Sequence, residues 1–402
     1  MLKRVKIHNF KSFKDFEINL NRINCIIAPN NAGKSNLINA FRFLYYAVVS
    51  PDKAIEEFGG FDNIRNIFLN EDKIVFEYEF QKDVISYNFT ARYSLNLQNL
   101  NIIHRITFLK NDEWFSEIFI DGKATYEKCD IKDFESIDKL YEYVKSKRKY
   151  KFNAKLKLYS NPVKEMEYDI TSTNKTVENF LNQNPYCLKK LPDKDFFYTY
   201  NFYPEKIKST FKGGNKLLED GTNLVEVLTF IYENKKDIFD NISSSLTGIV
   251  EEVEDIKIDK DLIDRNILLL KEKSKFLPFN ITSDGTINLL ALITALYEPV
   301  NKFMISIDEL EKHLHLKAVD YVLDIIKNFR LQVCFTTQSG EIMNEMKKDE
   351  IIFLYRDYEG FTKSIRADQI AGIDRKLKRF KDISTMIKYD ILGYLGDYDE
   401  KR

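Results

Sequence analysis

Gly33, Lys34 and Ser35 are three neighbouring residues whose types and order suit the binding of phosphate groups. They close the eight-residue segment Ala28-Pro29-Asn30-Asn31-Ala32-Gly33-Lys34-Ser35. In such a loop, N–H groups at a helix N-terminus bind phosphates, the lysine ammonium reaches the terminal phosphates, and the serine hydroxyl is a ligand for Mg²⁺. The segment predicts a nucleotide site. The alternative is an ordinary turn between a strand and a helix, with a surface lysine.

The first position of this loop departs from the usual pattern, because Ala28 stands where glycine is normal. If the position requires a positive φ, alanine carries a modest strain that glycine avoids. We expect this departure to weaken phosphate binding without abolishing it.

Two adjacent carboxylates, Asp308 and Glu309, follow an apolar run at residues 303–307 that is typical of a buried strand. A strand that ends beside the phosphate loop would bring Asp308 near Ser35, where both can hold Mg²⁺. Glu309 can then orient or deprotonate the attacking water. Without the phosphate loop, the same pattern would indicate only a strand followed by a solvated helix start.

Ser283, Asp284, Gly285 and Thr286 open an apolar helix and allow two interpretations. Ser283 or Asp284 can cap the helix by accepting its first free N–H groups. The same helix N-terminus and hydroxyls can instead bind a γ-phosphate supplied by another subunit. Helix physics alone leaves both interpretations open.

The elements that must position these residues follow from hydrophobic patterns. An apolar run predicts a buried strand over residues 23–27, and helical spacing predicts a helix over residues 34–48. Two further strands are predicted at residues 2–7 and 16–20. Alternating polar and apolar residues predict an antiparallel subdomain with strands at residues 73–80, 84–93, 100–109 and 114–120.

The remaining chain changes character twice. Residues 131–245 are charged and mostly helical in pattern, with the clearest helices at residues 224–245, so we interpret them as an insertion. Later strands and helices alternate, as in an α/β core. We therefore predict three parts: residues 1–130 and 246–402 as the two halves of one α/β core, and residues 131–245 as a mostly helical insertion.

The composition limits which classes of protein and which kinds of binding site the sequence is compatible with. The 402 residues include 61 Lys and Arg against 62 Asp and Glu, so any nucleic-acid site must be a local basic patch. No apolar run approaches the roughly 18 residues of a membrane helix, and the N-terminus lacks a signal-like segment, so we expect a soluble cytoplasmic protein. Four widely spaced cysteines without a CxxC pair are typical of reduced core residues.

Taken together, these motifs resemble those of the ABC-like ATPases of the RecF, SMC and OLD (overcoming lysogenization defect) group. The similarity is greatest to stand-alone AAA-type ATPases of abortive-infection and anti-phage systems. It covers roughly residues 1–95 and 220–395 and rests on the segments Asn9-Phe10-Lys11-Ser12-Phe13, Pro29-Asn30-Asn31-Ala32-Gly33-Lys34-Ser35-Asn36, Ser283-Asp284-Gly285-Thr286, Ile307-Asp308-Glu309-Leu310-Glu311 and Thr336-Thr337-Gln338-Ser339.

The resemblance implies an ABC-type ATPase core and gives each segment a role. Lys11 would approach the nucleotide, and the segment from Asn30 to Asn36 would be the Walker A loop for ATP. Asp308 and Ser35 would hold Mg²⁺, with Glu309 as the general base. Ser283-Asp284-Gly285-Thr286 would be the signature motif, which implies a head-to-tail homodimer with ATP between Lys34 of one subunit and Ser283 of the other.

In this resemblance Ile307-Asp308-Glu309-Leu310-Glu311 would be the Walker B segment. Three further departures from the family pattern concern the switch position, the segment after Walker B and the Q-loop. Gln338 stands where the family has a histidine, and glutamine can donate or accept a hydrogen bond but cannot take a proton. Together with Ala28, this predicts slow hydrolysis. Leu316 stands where proline is usual, and the family's Q-loop has only the weak candidate Gln81.

The resemblance implies a defence module in which ATP-dependent dimerisation, or assembly of a higher oligomer, controls a separate effector protein. No TOPRIM-like nuclease half is recognisable in the sequence. Two alternatives stay open: a RecF-like clamp whose ATP gates loading on DNA, and a nucleotide-dependent scaffold with negligible turnover.

Two basic patches are compatible with binding to DNA or RNA, because they interleave cations with aromatic residues. They are residues 145–152 and 375–381, and a solvated helix end is the common explanation of such runs. His313 and His315 lie near two acids, but at this place a structural role is more frequent than a separate metal site.

Overall fold

A computed structural model of the chain describes residues 1–49, 51–71, 73–84, 87–98, 101–110, 113–123, 153–160, 164–169, 197–209, 212–298, 302, 304–329 and 331–389. The strands are β1 Leu2–Phe10, β2 Phe13–Asn19, β3 Ile23–Ile27, β4 Lys73–Val84, β5 Tyr87–Gln98, β6 Asn101–Lys110, β7 Glu113–Lys123, β8 Asn153–Ser160, β9 Lys164–Asp169, β10 Phe197–Tyr200, β11 Asp255–Lys260, β12 Asn266–Glu272, β13 Lys275–Pro278, β14 Met304–Ile307, β15 Gln332–Thr336, β16 Ile351–Arg356 and β17 Thr362–Arg366. The helices are α1 Lys34–Val49, α2 Pro51–Glu57, α3 Pro204–Ser209, α4 Leu224–Asn234, α5 Lys236–Ile249, α6 Asp284–Tyr297, α7 Leu316–Asn328, α8 Gly340–Glu345, α9 Ile373–Phe380 and α10 Ile383–Lys388.

The central element is a six-stranded sheet in the order β10-β14-β15-β3-β16-β17. All its neighbouring pairs are parallel except β16 with β17, which form an antiparallel hairpin. Strands β3, β14 and β15 are buried along their whole length. Both faces of a parallel sheet are covered, which is why these strands are continuous apolar runs instead of alternating ones.

Successive side chains of these strands enter two different cores, as the period of two requires. On β3, Cys25 belongs to a core shared with helices α4 to α7, and Ile26 belongs to a core shared with α1, β1 and β2. On β15, Phe335 and Cys334 divide in the same way. The sheet that carries the phosphate loop is therefore packed between a helical layer and an α/β layer.

Both described cysteines, Cys25 and Cys334, are free and buried. Burial raises the pKa of the Cys334 thiol to about 12, and it raises the pKa of the Cys25 thiol well above its ordinary value. These two residues are reduced core residues, as the sequence predicts, and Cys129 and Cys187 lie outside the described residues.

A second sheet is antiparallel and has eight strands in the order β2-β1-β4-β5-β6-β7-β8-β9. The antiparallel subdomain predicted from residues 73–120 is thus continuous with the first two strands of the chain. It also extends past residue 130, since β8 pairs with β7 and β9 pairs with β8.

The structure differs from the predicted helical insertion over residues 131–245 at both ends. Strands β8 and β9 lie within it, and β10 belongs to the central sheet beside β14. Helices α4 and α5 pack in the same core as α6 and α7, so they are part of the C-terminal half. Strand β8 alternates Lys155 and Lys157 with Leu156 and Leu158, a period of two that the helical interpretation overlooked. The apolar face of α4 and α5 was compatible with either location. Much of the interval lies outside the described residues.

In the described part of the chain, every helix is too short or too polar to cross a lipid bilayer.

Candidate active site

The candidate site lies at the carboxyl edge of the central sheet, where three neighbouring parallel strands end. Strand β15 pairs with β14 on one side and β3 on the other. The phosphate loop follows β3, Asp308 and Glu309 follow β14, and Gln338 follows β15. Ligands bind outside the carboxyl ends of strands in open α/β sheets, so the topology brings together residues that are about 300 positions apart.

The phosphate loop leads directly into α1, which begins at Lys34. The Lys34 ammonium donates hydrogen bonds to the carbonyl oxygens of Ala28, at 2.6 Å, and Pro29, at 3.3 Å. Burial lowers the pKa of Lys34, while the carboxylates of Glu309, Asp308 and Glu311 oppose that shift. The ammonium therefore lies in the field of the Walker B carboxylates, and Ser35 is exposed in the first turn of the helix.

The backbone of the loop explains which of its residues must be small. Asn31 and Gly33 have positive φ angles, of 68° and 104°, but Ala28 does not. Alanine at this position therefore carries no left-handed strain. A Cβ on Gly33 would lie 2.6 Å from Thr362 Oγ1 and 3.1 Å from Ser12 Oγ, so glycine is required there for space as well as for conformation.

Thr336, at the end of β15, connects the two acidic residues. Its hydroxyl donates to Asp308 Oδ1 at 2.7 Å and accepts from the Glu309 N–H at 2.7 Å. Glu309 has a φ of 53°, which is uncommon for a residue with a side chain. Residues held in such conformations cluster at functional sites. Thr336 thus fixes both the carboxylate of Asp308 and the strained peptide of Glu309.

Gln338 contacts the residue expected to be the general base. Its side-chain N–H donates to Glu309 Oε1 at 3.1 Å, and its backbone N–H donates to Glu311 Oε1 at 2.7 Å. Gln338 is therefore placed to orient the Glu309 carboxylate.

The donor set suits Mg²⁺, which prefers hard oxygen ligands and is held by one or two protein groups together with substrate phosphates. Asp308 supplies a carboxylate whose Oδ1 is oriented by Thr336, and Ser35 supplies an exposed hydroxyl at the helix start. Within the described ranges, there is no group of three or more His, Cys, Asp or Glu side chains that could hold a metal ion alone. His313 and His315 thus form no such cluster.

The signature segment occupies a separate place at the start of α6. Ser283 is the N-cap of this helix, because its hydroxyl accepts the Thr286 N–H at 3.1 Å, and Asp284 pairs with Lys208 at 2.7 Å. A Cβ on Gly285 would lie 2.7 Å from the carbonyl oxygen of His313. Among the described residues, no hydrogen bond or ion pair joins this segment to the phosphate loop.

Lys11 has a left-handed conformation, with a φ of 48°, and is followed by Ser12, which lies close to Gly33 of the loop. Its ammonium is 3.4 Å from the carbonyl oxygen of Asn63 and 5.7 Å from the centre of the Phe58 ring. Burial, followed by the charge of Arg42, lowers its pKa. The neighbouring Ser12 hydroxyl accepts from the Asn36 side chain at 2.8 Å, which ties this segment to α1.

Several predicted residues fall elsewhere. The basic patch at residues 145–152 lies outside the described residues, and Gln81 belongs to β4 without a described side chain. Residues 375–381 form most of α9 and the residue that follows it. Sequence reasoning assigned no role to Thr336, Ser12 or Thr362. The first two stand inside motifs already quoted, but the contacts of Thr362 arise only from the folding of β17 against the loop.

Comparisons with known proteins show what the chain is similar to. A family described as "AAA domain, putative AbiEii toxin, Type IV TA system" matches residues 23–344. This range begins at β3 and ends beyond Gln338, so it includes the phosphate loop, the signature segment and the acidic pair. An ATP/GTP phosphatase of Helicobacter pylori (strain ATCC 700392 / 26695) is 41% identical over 66 residues, which are 16% of this chain and 17% of that protein. The match thus spans about a sixth of the curated relative.

The fold is also found in solved structures. An SMC head bound to the C-winged helix domain of ScpA has a TM-score of 0.50 and is 14% identical, over 92% of this chain and 99% of that chain. The SMC head domain from Thermotoga maritima has a TM-score of 0.41 and is 11% identical, over 91% and 98% of the two chains. At these identities the likeness concerns the fold alone, and the argument for it rests on the first structure.

Proposed function

The chain belongs to the AAA-domain family whose description names a putative AbiEii toxin, and from this membership we propose that it hydrolyses ATP at a site completed by a second copy of itself. Its fold is that of an ABC-type ATPase, as in SMC heads, and it is an ATPase of this AAA and SMC-like type. The resemblance to the RecF, SMC and OLD group inferred from the motifs is confirmed.

The observation that carries the proposal is the contact of Gln338 with Glu309 beside the Lys34 loop. In the proposed reaction, loop N–H groups and Lys34 hold the phosphates, and Glu309 accepts a proton from the attacking water. Asp308 and Ser35 would hold Mg²⁺, which would neutralise charge that develops on the phosphates. Gln338 keeps the Glu309 carboxylate oriented but cannot relay a proton, so we expect turnover to be slow.

The separation of the signature segment from the loop supports a site made from two subunits. Ser283 and Asp284 are exposed at the N-terminus of a buried, 14-residue helix, whose dipole favours an anion there. We propose that these residues and Thr286 complete the ATP site of a second subunit. The resulting closure would then control a separate effector, and the toxin named in the family description supports a setting in anti-phage defence.

Mixing two inactive variants tests the composite site. Lys34→Ala removes the phosphate-binding ammonium, and Ser283→Arg blocks the signature segment, so neither variant alone should release phosphate above background. A mixture can form dimers with one intact site, made from Lys34 of one subunit and Ser283 of the other. We expect phosphate release to reappear on mixing. Continued inactivity, with both variants folded and the parent active, would contradict a site shared between subunits.

A second candidate function, DNA binding by the ATP-bound form, is favoured by helix α9. Leu377 and Phe380 pack against the core, while Arg375, Lys378 and Arg379 are exposed on the other side. Phosphate contacts make binding fall steeply with salt.

Reversing these three charges should abolish binding to a DNA duplex if the helix is an interface. Lys275→Glu, at the exposed start of β13, is the control and should leave binding unchanged. Unchanged binding after reversal of the three charges would remove α9 from consideration.

A further inference from the structure

Hairpin β16–β17 lies against the outer side of the phosphate loop and bonds to two of its carbonyl groups. Arg356 donates two hydrogen bonds to the carbonyl oxygen of Asn31, from Nε at 3.0 Å and from Nη2 at 2.8 Å. Its Nη1 donates to the carbonyl oxygen of Gly360 within the hairpin, at 2.5 Å. The guanidinium thus joins the turn of the hairpin to the one non-glycine loop residue with a positive φ.

Thr362 makes the second connection. Its hydroxyl donates to the carbonyl oxygen of Ala32 at 3.1 Å and lies 2.8 Å from the hydroxyl of Ser12. Thr362 is fully buried, and its side chain occupies the space that a Cβ on Gly33 would need. The absence of a side chain at Gly33 therefore serves the hairpin as well as the nucleotide.

Peptide planarity gives these contacts a consequence for phosphate binding. In a trans peptide the carbonyl and the following N–H point in opposite directions. Holding the Ala32 carbonyl toward Thr362 therefore turns the Gly33 N–H to the other side of the loop. Holding the Asn31 carbonyl toward Arg356 secures the turn in which the Ala32 N–H donates to the Pro29 carbonyl at 3.3 Å.

The hairpin can hold the loop because it is itself fixed on two sides. Strand β16 pairs with β3 in the central sheet. Strand β17 contacts β2 of the antiparallel sheet: the Lys363 ammonium donates to the Asp15 carbonyl at 3.2 Å, and the Ser364 hydroxyl donates to the Glu17 carbonyl. The Thr362 N–H donates to the carbonyl of Ser12, the residue just before β2, at 3.0 Å. The two sheets thus meet at the hairpin beside the loop.

From these contacts we propose that Arg356 and Thr362 are positioning residues that hold the phosphate loop in its nucleotide-binding conformation before the nucleotide arrives. The inference rests on the proposed function. A preorganised loop binds more tightly because the ligand does not have to order it. Loss of either residue should weaken binding of ATP and of ADP together, since both carry the phosphates that the loop holds. The rate constant at saturating ATP should change less than KM, because the residues do not touch the reacting atoms.

Variants that keep the shape but change the hydrogen bonds test this role. Thr362→Val retains the volume and removes the hydroxyl, Thr362→Ser retains the hydroxyl, and Arg356→Lys retains the charge but not the paired bonds to Asn31. Arg366→Lys, in the same hairpin but paired with Asp368 away from the loop, is the matched control. Dissociation constants for fluorescent ATP and ADP analogues would be measured, with KM and kcat for hydrolysis.

We expect Thr362→Val and Arg356→Lys to raise both dissociation constants by about tenfold, the factor that corresponds to losing one or two hydrogen bonds. Thr362→Ser and Arg366→Lys should remain within about twofold of the parent. If the parent binds ATP and Arg356→Lys and Thr362→Val bind it equally well, the positioning role is wrong. If the parent itself binds no ATP, the proposed function fails first. Arg356 lies at the end of its strand and is only partly buried, so its variant should fold even if Thr362→Val does not.

Discussion

At the scale of single residues, Gly33 shows why sequence motifs need a physical test. Its φ of 104° and the closeness of Thr362 and Ser12 exclude a side chain, whereas Ala28 lies in an ordinary conformation and needs no glycine. We predict that Gly33→Ala reduces ATP affinity by at least tenfold through loop distortion. Isothermal titration with ATP would measure this loss.

Gly248 provides the control for that substitution. It lies within α5, and a Cβ there would meet no atom within 4 Å. Gly248→Ala should leave ATP affinity unchanged and stabilise the protein slightly, by roughly 0.5–1 kcal/mol. Equal ATP affinity in the two alanine variants would contradict the argument from the conformation of Gly33.

Gln338 leads to a prediction about rate. A histidine at this position can keep a hydrogen bond to Glu309 and can also exchange a proton, which glutamine cannot. We expect Gln338→His to release phosphate several-fold faster than the parent, and Gln338→Ala to be slower because Glu309 loses its partner. Steady-state phosphate release would compare the three proteins. A histidine variant no faster than the parent would contradict the prediction that Gln338 slows hydrolysis.

At the scale of elements, a buried ion pair joins Glu298, at the end of α6, to Lys302, two residues before β14. Lys302 Nζ lies 2.6 Å from Glu298 Oε2, both side chains are fully buried, and Glu298 Oε1 accepts the Leu217 N–H at 2.7 Å. Lys302→Met would leave a buried carboxylate without its counter-charge, which costs about 3–5 kcal/mol. Urea denaturation would measure the change in the free energy of unfolding.

The double variant Lys302→Met with Glu298→Gln separates charge from packing. Glutamine still accepts the Leu217 N–H but carries no charge, so the double variant should be more stable than Lys302→Met alone. If adding Glu298→Gln lowers stability further, the cost of the first substitution is not an uncompensated charge.

A second link, between β1, β2 and the segment before β4, should respond to pH. His8 Nδ1 lies 2.8 Å from Asp15 and Nε2 lies 2.7 Å from Glu71. Burial lowers the pKa of His8, but the hydrogen bonds to Glu71 and Asp15 outweigh it, so the pKa is raised above 6.5. The stabilisation by protonated His8 is therefore fully present below pH 6.5 and is lost as the pH rises through the folded-state pKa.

We predict that the stability difference between the parent and His8→Gln is largest below pH 6.5 and shrinks above the folded-state pKa of His8. Thermal unfolding of both proteins across this range would show it. A difference that is independent of pH would mean that protonated His8 contributes nothing.

The helices and strands that were predictable are those whose own residues carry a strong hydrophobic pattern. The strand before the phosphate loop and helix α1 have strong patterns and were predicted within a residue or two. Pro51 was expected only to stop the helical pattern, yet it begins α2, because proline is well suited to the first helical turn. Strand β17 was missed since its five residues, Thr362 to Arg366, alternate only weakly.

Site residues were predictable where they belong to a local sequence motif. They were unpredictable where strand pairing brings distant residues together. Lys34, Asp308 and Glu309 follow from local patterns, although their roles remain predictions. The contact of Arg356 with Asn31 depends on the pairing of β16 with β3, which joins segments more than 300 residues apart. No local pattern records such a pairing.

At the scale of the whole molecule, two groups of predicted ATP-site residues lie apart from each other in one chain. Lys34, Asp308, Glu309 and Gln338 meet at one sheet edge, while Ser283 lies at the start of α6, without a described bond to them. Under the proposed function, ATP would be held on one subunit and enclosed by the other.

The most direct test of this account is the mass of Glu309→Gln in solution, measured by light scattering with and without ATP and Mg²⁺. This variant keeps the binding residues but lacks the base, so it should trap the ATP-bound form. We predict that its mass doubles with ATP and Mg²⁺ and that adding Ser283→Arg prevents the doubling. If Glu309→Gln binds no ATP, or binds it with no change in mass, the shared ATP site is contradicted.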